Sequence, residues 1–178
     1  SPSLQSRPQL VKIRLNQTLR SIADGYTMQL APNQWTAAGS MRIRASASYP
    51  AAYRKNGYIS FNVSGIELTA DKIMLRLAAS STTGGTLSVY RVDPATTWPS
   101  SIMTWSNQPT AAGLAGSVTV MPIAIAGAPE WFGVDVTNQV LAARAAGHNK
   151  IAFRLMTDEG AAGYVTDFNV KSDEDSGE

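Results

Sequence analysis

The chain contains no cysteine and a single histidine. The first absence excludes disulfide scaffolds, thiolate nucleophiles and zinc–thiolate sites. The second leaves no Ser–His–Asp arrangement to argue. His148 lies in the turn Gly147-His148-Asn149, behind a helical stretch, and reads as a surface turn residue. Charge is also sparse. Charged residues make up 16% of the chain and the formal net charge is +2, with Lys and Arg scattered through strand-like segments, which argues against nucleic acid as a partner. No run approaches the roughly 20 apolar residues that span a bilayer. Heptads, internal repeats, low-complexity linkers, EF-hand spacing and a glycine-rich phosphate loop are absent too, because Gly84-Gly85 reads as a turn.

What is present is a strand-forming chain of 178 residues, 44% hydrophobic, enough for one domain with a sizeable core. Met41 to Ala47 alternates apolar with polar. Tyr53 to Val63 does so again, with Tyr58 and Ser60 on one face and Ile59, Phe61 and Val63 on the other. Further strands are expected over Leu19–Tyr26, Lys72–Ala78, Thr86–Val92, Lys150–Met156 and Tyr164–Val170, with Thr86–Val92 the hairpin partner of its predecessor across Gly84-Gly85. Pro32 and Gly39 bracket a loop carrying Trp35. One helix is expected over 138–146, capped by Thr137 and stopped by Gly147. The pattern predicts an all-β, antiparallel β-sandwich of the jelly-roll kind with one short helix.

Candidate chemistry is thin. Asp158 and Glu159 are adjacent, and Asp24, Asp135 and Asp167 each lie in or beside a strand. Adjacent acids on a strand point apart and suit glycoside hydrolysis poorly, so they read as solvated loop acids and no catalytic residue is assigned. No metal site is assigned, although Asp24 and Asp167 could contribute to a calcium site. Trp35, Trp98, Trp105 and Trp131 could stack on sugar rings if exposed, with Trp98 and Trp105 better suited to anchoring core or loop. Tyr49, Tyr53, Arg54, Lys55 and Tyr58 form the most ligand-like cluster, since aromatic rings beside cations suit an acidic polysaccharide.

Several stretches together resemble the DNRLRE-type module, also classed as carbohydrate-binding module family 96. They include Tyr53–Ile66, Ala70–Leu77, Gly85–Val92, Val134–Thr137 and Ile151–Leu155. The most specific is Thr97–Pro109, which carries Trp98 and Trp105-Ser106-Asn107-Gln108-Pro109. The resemblance spans about residues 19–172. It implies a non-catalytic β-sandwich of secreted or cell-surface proteins, and Ser1 in place of Met fits a processed chain.

The resemblance also implies a final strand similar to Arg-Pro-Gln-Leu-Val-Val, which does not follow the acidic tail Asp173-Glu174-Asp175. A matching strand stands at the other end, as Arg7–Leu15, with Leu10, Val11, Ile13 and Leu15 apolar and Arg7, Lys12 and Arg14 basic. Residues 1–17 therefore read as an arm with a donor-type strand and 18–178 as the sandwich domain. Two functions follow. The first is a subunit of an extracellular filament, each donor strand inserted in its neighbour and Arg7, Lys12 and Arg14 set against the acidic tail of the adjoining copy. The second is a carbohydrate-binding module for an acidic polysaccharide, with the strand closing its own fold.

Overall fold

The computed structural model describes residues 19, 21–36, 40–46, 54–92, 103–123, 129–158 and 165–171. Within them run ten strands, β1 Ser21–Met28, β2 Ala31–Thr36, β3 Ser40–Ser46, β4 Lys55–Asn62, β5 Met74–Thr82, β6 Gly85–Val92, β7 Ala111–Val120, β8 Glu130–Asp135, β9 Lys150–Thr157 and β10 Val165–Lys171. One helix, α1 Thr137–Ala145, lies between β8 and β9. Every described strand pair is antiparallel. The front sheet runs β2-β1-β4-β9-β6-β7 and the back sheet β3-β10-β5-β8, joined at one corner by the pair Arg44↔Lys55. The expected all-β sandwich with a single short helix is borne out.

The period-2 alternation sets the layers. Met41 and Ile43 on β3, Leu75 and Leu77 on β5, Leu87 and Val89 on β6, and Ile151, Phe153 and Leu155 on β9 all point between the sheets and are buried. Residues between them face outward. The sheets also approach closely where Gly116 on β7 meets β8: a Cβ there would lie 2.7 Å from Val134 Cγ1 and 3.2 Å from the Asp135 carbonyl oxygen. Helix α1 closes one end of the core with Val140 and Ala143.

Three local expectations need correction. Residues 31–36 form strand β2, paired to β1 through Tyr26↔Thr36 and Thr27↔Trp35, so Pro32 and Trp35 lie in a strand rather than a loop. Pro32 is tolerated there because β2 is an edge strand. Second, β5 and β6 are not a hairpin. Both edges of β5 are taken by β10 and β8, and both edges of β6 by β7 and β9, so the turn at Gly84 carries the chain from one sheet to the other. Third, β7, with its Ala- and Gly-rich sequence, fills a stretch where no strand was expected.

Helix α1 starts one residue early. Val136 is the N-cap and Thr137 the first helical residue. The Thr137 hydroxyl donates to Asp135 Oδ1 at 2.6 Å and accepts from the Ile73 amide at 2.8 Å, tying the helix start to the chain ahead of β5. At the other end Gly147 has φ +83, the Gly147 amide donates to the Arg144 carbonyl and the His148 amide to the Ala143 carbonyl. This is the Schellman arrangement, and it makes the glycine stop that the sequence called for. His148 sits in that turn, as expected.

The Thr137 hydroxyl and amide, with Lys72 nearby, hold the Asp135 carboxyl below its ordinary range. A carboxyl whose folded value is depressed contributes stability above its unfolded value, about 3.9, and loses it as pH falls through the lower folded value. Thermal melts recorded from pH 6 downward should therefore fall less steeply below about pH 4 for Asp135→Asn than for the wild type. Parallel curves would show that Asp135 carries no such contribution.

Candidate carbohydrate-binding surface

Strand β4 is buried on both sides, and the outer side explains the most distinctive motif in the chain. Its outward residues Asn56 and Tyr58 are 1% and 0% exposed, and Thr27, beside Asn56 on β1, is 0% exposed. Gln108 Oε1 accepts hydrogen bonds from Thr27 Oγ1 at 3.0 Å, Asn56 Nδ2 at 3.0 Å and Tyr58 Oη at 2.8 Å. The segment around Gln108 is itself pinned. Asn107 Oδ1 accepts from the Thr104 amide and hydroxyl, and both the amide and the hydroxyl of Ser106 donate to the Pro32 carbonyl at 3.1 Å. Met103 packs with Tyr58 and Val92 in a small second core on that face. The motif Thr104-Trp105-Ser106-Asn107-Gln108-Pro109 is thus a latch over the outer face of the front sheet, and Trp105 is half-buried within it.

Tyr58 is consequently not part of an exposed aromatic–cation cluster. Burial pushes its hydroxyl well above the usual phenol range, with the Arg154 charge opposing, and its ring offers no face to a sugar. Lys55 lies over the Tyr26 ring, its Nζ 5.3 Å from the centroid, and Arg54 is half-buried at the start of β4. Arg54, Lys55 and Tyr58 therefore do not share one open face. Tyr49 and Tyr53 lie outside the described residues, as do the donor-strand residues Leu10, Val11, Ile13 and Leu15, the bases Arg7, Lys12 and Arg14, the acids Asp173, Glu174 and Asp175, and Trp98.

The described acids serve local roles. Asp158 Oδ1 accepts from the Thr86 amide and the Thr157 hydroxyl, and Asp24 Oδ2 accepts from the Ser21 hydroxyl. Asp24 lies on front-sheet strand β1 and Asp167 on back-sheet strand β10. Among the described residues no group of three or more acidic or histidine side chains is placed to hold a metal ion.

An open aromatic surface lies on the opposite side of the molecule. Trp131, on edge strand β8, is 63% exposed although the Arg76 guanidinium sits over its ring at 4.9 Å. It shares the outer face of the back sheet with exposed Met74 and, by alternation against buried Met41, Ile43 and Ala45, with Arg42 and Arg44. Nothing in the sequence around Glu130-Trp131-Phe132 distinguishes an exposed tryptophan from a buried one, because strand alternation gives the face only once the core side is known.

The model of carbohydrate-binding module family 96 matches residues 16–178. The chain belongs to that family. The family resemblance is borne out, and the described part of its most specific segment, residues 103–109, forms the latch described above. The match begins directly after the strand expected over Arg7–Leu15. No curated protein matches the chain. Among the described residues no helix is long and apolar enough to cross a membrane.

The latch gives a stability prediction. Gln108→Leu should cost roughly 2–4 kcal/mol, because three donors on buried residues lose their acceptor, whereas Tyr58→Phe should cost about 1 kcal/mol. Urea unfolding of both variants measures this. Equal losses would mean that Gln108 does not hold the latch.

Proposed function

We propose that the domain is a non-catalytic carbohydrate-binding module of a secreted or cell-surface protein, taking an acidic polysaccharide on the outer face of the back sheet. Family membership carries this reading, and exposed Trp131 with Arg76 supports the choice of surface. An indole face stacks on the apolar face of a sugar ring, while Arg76 beside it offers a guanidinium suited to carboxylate-bearing chains. The described acids engaged in local hydrogen bonds support a binding rather than a hydrolytic role.

Affinity electrophoresis through gels containing an acidic polysaccharide tests it. Trp131→Ala should migrate faster than wild type, with affinity reduced about tenfold, the equivalent of ~1.4 kcal/mol for one lost stacking partner. Because Trp131 is exposed, the thermal midpoint should barely change. Undiminished retardation would move the binding surface elsewhere.

The second reading is a filament subunit that donates Arg7–Leu15 to its neighbour. It rests on the sequence pattern alone, the strand-like run Arg7–Leu15 ahead of the module. The wild-type species measured by light scattering at micromolar concentration separates the two. A monomer of 18.9 kDa that melts cooperatively would leave the binding module alone, and open-ended polymers would favour strand donation.

A further inference from the structure

The four edges of the sandwich are not equally guarded. An exposed edge strand offers its unpaired backbone groups to any other strand, and proteins blunt such edges with proline or charge. Strand β2 carries Pro32, β3 carries Arg42 and Arg44, and β8 begins at Glu130 and ends at Asp135. Strand β7 has neither proline nor a charged residue, although it is the longest of the described strands and, among the described residues, pairs only with β6. Between Asp93 and Glu130 the chain carries no charge at all. Leu114 is 55% exposed and Met121, just past the strand, 77%. Ala115, Val118 and Val120 pack against the core yet stay only partly buried, so the hydrophobic interior reaches the surface along this edge. The ladder to β6 shifts between Val89 and Tyr90 and again between Arg91 and Val92, but Gly116–Val120 runs unbroken against Gly85–Val89. That regular end is the part another strand can join.

We propose that this edge is an interface with a second copy of the chain, β7 pairing antiparallel with β7 about a two-fold axis at Val118, so that two front sheets become one. In a two-fold contact the same patch meets itself, and a charged residue near the axis would face its own sign. An uncharged edge avoids that repulsion. The run Gly116-Ser117-Val118-Thr119-Val120 is self-complementary in this register. On the inner side Gly116 faces Val120 of the second copy, small against large, and Val118 faces its own counterpart, so the partly buried valines are covered. On the outer side Ser117 faces Thr119 of the second copy, a hydroxyl pair of the kind that favours strand pairing. The bulge drops Ala115 from the ladder, so Leu114 takes the outward slot beside Gly116 and lies against Met121 of the second copy. The two most exposed apolar side chains of the edge thereby cover each other. The run Arg7–Leu15 fits this edge less well, since its three bases would meet no acid on β7. The contact closes at two copies, unlike head-to-tail strand donation, and does not depend on the ligand of the module. One strand pair lies at the small end of specific interfaces, so the dimer should be reversible.

Sedimentation equilibrium of the full chain over a wide concentration range tests the assembly. The mass should rise reversibly from 18.9 kDa towards twice that value and no further. Ser117→Lys sets a charge beside the axis at an exposed position and should weaken the dimer about tenfold, while the thermal midpoint, taken at a dilution where the wild type is monomeric, stays unchanged. Thr119→Lys serves if that variant does not fold. The chain has no cysteine, which makes the register readable by crosslinking. In an equimolar mixture of Ser117→Cys and Thr119→Cys chains, the opposed residues lie about 4.5–5.5 Å apart by Cα, within disulfide reach. Either variant alone places its two cysteines on the diagonal, about 7–8 Å apart. Mild oxidation should therefore give covalent dimers from the mixture and monomers from each variant by itself. A monomer at every concentration, a Ser117→Lys dimer as tight as the wild type, or crosslinking no better in the mixture than in the separate variants overturns the proposal. Open-ended polymers overturn it too and favour strand donation.

Discussion

The architecture of the front sheet's outer face depends on one oxygen atom. Gln108 Oε1 gathers donors from β1 and β4, and in doing so fastens the segment 103–109 across a sheet face that would otherwise be wet. Everything on that face takes its character from the latch. Tyr58 becomes a core residue, Val92 and Met103 acquire a hydrophobic neighbourhood, and Arg154 gains a fixed aromatic support on one side. A buried polar group is costly unless satisfied. The cluster thus works as a unit, since Asn56, Thr27 and Tyr58 all donate to the same acceptor.

The back sheet presents a different kind of face. No described segment latches over Trp131 and Arg76, and the aromatic ring remains open. A β-sandwich has two outer faces, and here one is partly closed by its own chain while, among the described residues, the other leaves Trp131 exposed beside Arg76. Family membership tells what class of ligand such a domain meets.

Much of the fold was legible because alternation is a strong signal where one side of a strand is buried. Met41–Ile43, Ile59–Phe61 and Ile151–Leu155 each show it plainly, and all face the core. The signal failed where its premises failed. Strand β7, Ala-Ala-Gly-Leu-Ala-Gly-Ser-Val-Thr-Val, has small residues on both sides because Gly116 must admit Val134 from the facing sheet, and small residues carry no period. Strand β2 was hidden by Pro32, which marks a turn in most contexts and is harmless on an edge. The pairing of β5 with β6 was assumed from a glycine turn, whereas the available edges of each strand decide partners. For the site the limits were sharper. Alternation put Tyr58 on the outer face correctly, yet only a segment some fifty residues later in the chain makes that face interior. The openness of Trp131 is a property of three-dimensional surroundings, and no local pattern encodes it.

The crossing at Gly84 has a consequence for how the molecule comes into being. Strands β3, β5, β8 and β10 belong to one sheet and β1, β2, β4, β6, β7 and β9 to the other, so the growing chain alternates between layers almost strand by strand. Neither sheet can be finished from one contiguous stretch. Strand β10 must arrive before β3 and β5 are joined, and β9 before β4 and β6 are. Such a chain has to close long loops before most of its contacts reward it, which slows folding and ties both layers to a single late event. A domain assembled in that way has little opportunity to lose one sheet while keeping the other.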